Sequence, residues 1–178
     1  AAQVASARTR LDRLRATMGD PDSLVAELAE RYDASEWKPA AAAARTAVTQ
    51  TMEAQRLLDA AAALADDPTR DALPELARAE RALRAAEADV RVLEETHRLV
   101  TQAAQAVPSE IGAARTALRQ AFAIREQLEP ADSERLGAEL RACEAELTAL
   151  EKDAARRPTR TVDRVARLRD RLDLALGD

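Results

Sequence analysis

Glu94 and His97 are the two residues whose types and spacing best fit a chemical role in this sequence. A glutamate and a histidine three positions apart lie on the same side of a helix, and some helical bundles hold metal ions with this pair. Such a site takes a second pair and further carboxylates on facing helices, but His97 is the single histidine. We therefore expect a partly buried packing position for His97, with a metal-binding or enzymatic bundle at Glu94 and His97 as the alternative.

Two further combinations have the residue types of nucleophilic catalysis. Ser35 and Lys38 have the spacing of serine acylases that use a lysine base, but the companion motifs and the mixed α/β scaffold of those enzymes are missing. Cys143 and His97 have the residue types of a nucleophile and its base, but Cys143, the only cysteine, falls between leucines on an apolar stripe, where a small, unreactive side chain is expected. One cysteine also excludes an intramolecular disulfide and a thiolate metal cage. The sequence therefore predicts no catalytic residue, no metal site and no cofactor.

Tyr32 and Trp37 are the candidate partner-binding residues. With Phe122 they are the only aromatic residues of the chain, and both fall in one joint between predicted helices. A hydrophobic plug that fixes the angle between two helices is one interpretation. A partner-binding patch is the other, because Trp and Tyr are enriched among the residues that dominate protein interfaces.

The composition favours an all-helical protein. Hydrophobic residues make up 47% of the 178 positions and aromatic residues 2%, and roughly a quarter of all residues are alanine, the best helix former. With 4 glycines, the tight turns of an all-β fold are missing. Charged residues of both signs are mixed along every segment, with a net charge of −5. This pattern is typical of solvated helix faces and differs from a basic nucleic-acid surface.

Apolar residues recur every three to four positions along most of the chain, so each helix carries one apolar stripe. A single stripe is covered only when helices fold back on one another. The sequence therefore predicts an all-α, elongated antiparallel helical bundle or coiled coil of about six to seven helices. The predicted inward positions are Val4, Ala7, Leu11, Leu14, Met18, Val25, Leu28, Val48, Met52, Leu58, Ala62, Ala65, Leu76, Ala79, Leu83, Ala86, Val90, Leu93, His97, Val100, Ala104, Val107, Ile111, Ala114, Leu118, Ala121, Leu136, Leu140, Cys143, Leu147, Leu150, Ala154, Thr161, Val165, Leu168, Leu172 and Ala175.

Prolines and turn residues divide these stripes into three predicted segments. Residues 1–38 hold the N-terminal helices and the aromatic joint, residues 39–130 a long helical hairpin, and residues 131–178 a C-terminal helical hairpin. We expect the three to form one continuous bundle. The joint is placed at residues 33–38 because the residue before Pro39 is disfavoured in a helix. The apolar phase continues across Pro108, which favours a kinked but continuous helix over a separate helix that opens at Pro108.

Two helix starts carry residues suited to capping. Gly19 interrupts the first stripe, and Asp20 followed by Pro21 predicts the N-cap and first position of the next helix. After Pro130, either Asp132 or Ser133 is predicted to cap the helix that follows.

The run from Leu28 to Pro39 reads LAERYDASEWKP and resembles the helical region of actinobacterial TPM-domain proteins, most closely over residues 24–65. Members of that family are described as having an extracytoplasmic TPM domain, a membrane span and a long coiled-coil region. Neither that domain nor a membrane span lies in these residues. The resemblance therefore implies the cytoplasmic helical region of a membrane-anchored protein, and it transfers no phosphatase activity.

Together these patterns predict a non-catalytic structural or protein–protein interaction module. The excess of alanine and arginine is typical of GC-rich bacterial genomes, and the missing initiator Met favours a region of a larger bacterial protein. We expect a protein partner, or self-association through the apolar stripes. We expect no nucleic acid and no direct membrane insertion of these residues.

Overall fold

The computed structural model describes residues 2–177 as a series of α-helices. These are α1 (Ala2–Met18), α2 (Pro21–Arg31), α3 (Ala34–Ala65), α4 (Leu73–Arg125), α5 (Pro130–Asp153) and α6 (Pro158–Gly177). Helices account for 89% of the described residues, which contain no strand. The predicted all-α class is confirmed.

The break between α1 and α2 follows from local backbone chemistry. Gly19 has a φ of +56°, a left-handed conformation that ends a helix at little cost when the residue is glycine. The carboxylate of Asp20 accepts hydrogen bonds from the N–H groups of Asp22 and Ser23 and from the Ser23 hydroxyl. Pro21 occupies the first position of α2, so the predicted cap and start are confirmed. The Ser23 hydroxyl is the main cause of a lowered pKa of Asp20.

The predicted joint at residues 33–38 is wrong, because α3 begins at Ala34 and contains Pro39. Asp33 supplies the missing start signal: its carboxylate accepts hydrogen bonds from the N–H and the hydroxyl of Ser35. Pro39 lies in the second turn, where its missing N–H removes one backbone hydrogen bond. A strong cap at the helix start therefore outweighs the local preference of the residue before proline.

The cap predicted at Asp132 or Ser133 is also wrong. Helix α5 begins at Pro130, and Glu129 occupies the cap position without a side-chain hydrogen bond to the backbone. Pro130 fits the first helical position because its ring fixes φ and its missing N–H would have no partner there. Both predicted caps therefore lie inside the first turn.

Helix α4 runs through Pro108 without interruption, which confirms a continuous helix over a separate start at this proline. The predicted inward positions from Leu76 to Ala121 are buried, apart from His97 and Ala104, which are half-buried. A seven-residue apolar repeat therefore located the inner face of this 53-residue helix.

The predicted inner face of α3 is wrong at Met52, which is 66% exposed, and at Ala65, which is exposed. Alanine occurs on nearly every side of this helix, so apolar spacing does not fix its rotation. The buried side includes Ala40, Ala43, Ala44, Ala47, Thr51, Ala54, Leu57, Leu58 and Ala61. The Thr51 hydroxyl donates to the carbonyl of Ala47, which satisfies this polar group inside the protein.

The chain divides into two compact units. In unit 1, formed by residues 2–30 and 37–97, side chains of α1, α3 and the first part of α4 build one apolar core. Ion pairs connect Arg10 to Glu87 and Arg8 to Asp59 across this unit. Because all four residues are partly exposed, these pairs contribute little to stability.

Unit 2 consists of residues 31–36 and 98–177, and its core is built by α5, α6 and the second part of α4. Helices α5 and α6 run in opposite directions, since Leu150 lies near Thr161 and Leu136 near Leu176. The predicted inward position Ala175 near the end of α6 is wrong, because Ala175 is exposed and Leu176 packs against the core instead.

Candidate interaction surface

One end of unit 2 carries an open groove lined mainly by apolar side chains. It has a volume of about 450 Å³ and lies where the end of α4, the start of α5 and the end of α6 meet. We call it the end groove. Its lining residues are Ile124, Leu128, Asp132, Arg135, Leu136, Glu139, Ala175 and Leu176.

Large apolar side chains are exposed at this end. Ile124 is 45% exposed and Leu128 is 39% exposed, while Leu174, which precedes a lining residue of α6, is 70% exposed. They are three of the seven large apolar side chains that the described residues leave exposed. Large apolar side chains grouped in one place mark interaction sites on soluble proteins, whereas scattered single residues do not, and both Ile124 and Leu128 line the end groove.

The charged residues that line the end groove already have partners within the protein. Asp132 forms an ion pair with Arg135 at 3.0 Å, and Glu139 accepts a hydrogen bond from the Arg171 guanidinium at 2.8 Å. These groups therefore present no unpaired charge to a ligand in the groove. Apolar contact is what the floor of the groove offers.

The surroundings of the end groove are acidic. Residues 124–139 contain five acidic side chains and two arginines. Glu126, Glu129 and Glu134 are exposed, and none of them forms an ion pair within residues 2–177. The charges of residues 124–139 therefore sum to −3, with Arg125 and Arg135 included.

Arg125 connects α4 to α5 beside the groove. Its Nε donates to the backbone carbonyl of Ser133 at 2.9 Å. The guanidinium lies against Gly137, where an added Cβ would be 2.5 Å from the Arg125 Cζ. Gly137 thus leaves the space that this arginine occupies.

Unit 2 also contains a polar cluster around Glu36, which is only 6% exposed. Its Oε1 accepts the backbone N–H groups of Thr159 at 2.9 Å and of Arg160 at 3.3 Å. Arg157 precedes the first residue of α6 and has no acceptor atom in its side chain, so it cannot cap this helix. Glu36 therefore provides the acceptor from a distant part of the chain.

Asp33 adds further contacts to this cluster. Its backbone N–H donates to the carbonyl of Arg156 at 2.8 Å, and its carboxylate lies 3.6 Å from the Arg157 guanidinium. Burial raises the pKa of Glu36, although the N–H groups of Arg160 and Thr159 act in the opposite direction. The cluster is a structural connection between residues 31–36 and the start of α6.

The structure places the candidate partner-binding residues in different surroundings from those predicted. Tyr32 lies just before α3, and Trp37 lies within α3 instead of in a joint. Both are half-buried. Their role as a partner-binding patch stays a prediction.

The residues considered for catalysis or metal binding are spread along the helices. Glu94 is exposed and His97 is half-buried on α4, and residues 2–177 contain no group of three His, Cys, Asp or Glu side chains placed to hold a metal ion. The Ser35 hydroxyl donates to Asp33 at 2.7 Å, as a capping contact. Cys143 is fully buried, and burial raises the pKa of its thiol.

Sequence reasoning missed both Glu36 and the end groove. The signal for Glu36 was the start of α6, where Pro158 follows an arginine and no nearby side chain can accept the free N–H groups. The signal for the groove was Ile124, a large apolar residue off the inward stripe of α4, together with Leu128 just beyond the end of that helix.

No known protein family, curated protein or solved structure matches this chain. Among the helices of residues 2–177, none has the length and the apolar character needed to span a lipid bilayer.

Proposed function

We propose that the chain is a non-catalytic structural or protein–protein interaction module, built as an elongated antiparallel helical bundle of the coiled-coil type. The end groove is the observation that carries this proposal. Ile124 and Leu128 remain well exposed there, although apolar side chains of this size are stabilised by burial. A protein partner that covers them would supply that burial.

The likeness of residues 28–39 to the helical region of TPM-domain proteins supports a place within a larger actinobacterial protein. In this proposal the module lies on the cytoplasmic side of a membrane-anchored parent. Tyr32 and Trp37 are proposed as further residues that contact a protein partner.

A photo-crosslinking experiment tests the proposal. The photoreactive amino acid p-benzoylphenylalanine replaces Leu128 in the full-length protein in its bacterial host, and the matched control carries it at Met52, which is exposed in unit 1. We expect a discrete cross-linked protein for position 128 that is absent for position 52. Equal patterns at the two positions, or no product at either, would contradict the proposal.

A further inference from the structure

We propose that the end groove binds a basic amphipathic helix of a partner protein. This inference rests on the proposed function, since it names the class of partner that the interaction module takes. It is carried by the shape of the groove, by the pairing of its lining charges and by the acidic residues around it.

The apolar lining fits the side chains of a helix. Ile124 and Leu128 are four positions apart on one wall, and Leu136 and Leu176 belong to the other helices that meet there. An amphipathic helix binds such a groove with apolar anchors at spacings of three and four residues. A volume of about 450 Å³ leaves room for several such anchors.

The pairing of the lining charges disfavours a small polar metabolite. Sites for small molecules combine apolar walls with a few free polar groups that fix the ligand. Here Asp132 is paired with Arg135 and Glu139 with Arg171. The groove therefore offers apolar contact and no unpaired charge to orient a metabolite.

The acidic surroundings determine the charge of the partner. Glu126, Glu129 and Glu134 are exposed and lack ion pairs within the described residues, so lysine or arginine on the polar side of a bound helix would be attracted. A second copy docked groove to groove would bring like charges together. An anionic lipid surface would be repelled for the same reason.

Two designed peptides serve as probes. Both are about 18 residues long, or about five helical turns, and carry leucines at positions i, i+4 and i+7; one has lysines on its polar side and the other has glutamates. Fluorescence anisotropy measures their binding to the chain. We expect saturable binding of the lysine peptide that weakens with added salt, and binding of the glutamate peptide at least about tenfold weaker.

Variants locate the binding surface. Leu128→Asp and Ile124→Asp are expected to weaken binding of the lysine peptide by about tenfold or more, whereas Met52→Asp leaves it unchanged. Changing Glu126, Glu129 and Glu134 together to lysine is expected to reverse the preference between the peptides. Because these positions are exposed, we expect helical circular dichroism to be unchanged in every variant.

Three outcomes would overturn the inference. The first two are equal binding of both peptides and no binding of either. The third is a doubled molecular mass of the chain in light scattering that Leu128→Asp abolishes, because this would identify a second copy as the occupant of the groove. In each case a cross-linked protein obtained specifically from position 128 would still support the interaction module, so the two proposals fail separately.

Discussion

The carboxylate of Glu36 accepts the backbone N–H of Thr159 at 2.9 Å, across 123 positions of the sequence. It thereby does for α6 what an N-cap residue normally does from the adjacent position. Its negative charge also lies at the positive end of the helix dipole. The start of α6 therefore depends on a residue from the beginning of α3.

Glu36→Ala is expected to lower the free energy of unfolding by about 1–3 kcal/mol, because the N–H groups of Thr159 and Arg160 lose their acceptor. Glu36→Gln keeps an acceptor oxygen and is expected to cost less. Urea denaturation monitored by circular dichroism measures both variants. Equal losses for the two substitutions would mean that the hydrogen bonds to α6 are not the source of the effect.

The stability contributed by Glu36 is expected to depend on pH. Burial raises the pKa of Glu36 above its ordinary value of 4.5, and nearby Asp33 acts in the same direction. The folded state therefore binds this proton more tightly than the unfolded state, so protonation favours folding. The part of this stability that comes from binding the proton is complete below pH 4.5 and is lost as the pH rises through the folded-state pKa.

Comparison with Glu36→Gln isolates this titration, since the other carboxyl groups are common to both chains. As the pH falls from about 7 to about 4, the native chain is expected to gain unfolding free energy relative to the variant. A difference that stays constant over this range would show that Glu36 has no raised pKa.

Thr161→Val is expected to raise the free energy of unfolding by about 1 kcal/mol. Thr161 is 1% exposed, and its Oγ1 has no hydrogen-bond partner in the described structure. Thr51→Val is the matched control, because the buried Thr51 hydroxyl does donate to a carbonyl and its removal should lower stability slightly. Thermal denaturation of both variants measures the contrast, and destabilisation of the same size in both would contradict the assignment of an unpaired hydroxyl.

Gly137→Ala is expected to change stability by less than about 0.5 kcal/mol, because two effects oppose each other. Alanine gains about 1 kcal/mol of helix propensity over glycine, while the displaced Arg125 loses its hydrogen bond to the Ser133 carbonyl, worth about 1 kcal/mol. In an Arg125→Met background only the gain remains. A double-mutant cycle measures this coupling, and additive effects would show that Gly137 and Arg125 do not share space.

Leu147→Ala is expected to lower the free energy of unfolding by about 2–5 kcal/mol, because Leu147 is fully buried in the core of unit 2. Leu83→Ala should have an effect of the same size in unit 1, where Leu83 is equally buried. Leu174→Ala, at a 70% exposed position, is the control and should change stability by less than about 0.5 kcal/mol. Chemical denaturation distinguishes these cases, and a loss below about 0.5 kcal/mol at Leu147 would remove this residue from the core.

Much of the fold was predictable because the information is local. The cap at Asp20, the positive φ of Gly19 and the apolar phase of α4 through Val90 and Val107 all depend on residues within a few turns of one another. Where large apolar residues alternate with charged ones, only one rotation of the helix buries the former and solvates the latter.

The sequence by itself thus determined the helical class, the boundary between α1 and α2, and most of the inner face of α4, α5 and α6. Tertiary structure decided the rotation of α3. Alanines lie on nearly every side of this helix, so the close packing of neighbouring helices determined that Thr51 is buried and Met52 is exposed. It also decided the partner of Glu36 and the grouping of Ile124, Leu128 and Leu176 into one groove. These relationships join residues far apart in the chain, and periodicity within one helix contains no information about which distant helix end will lie beside it.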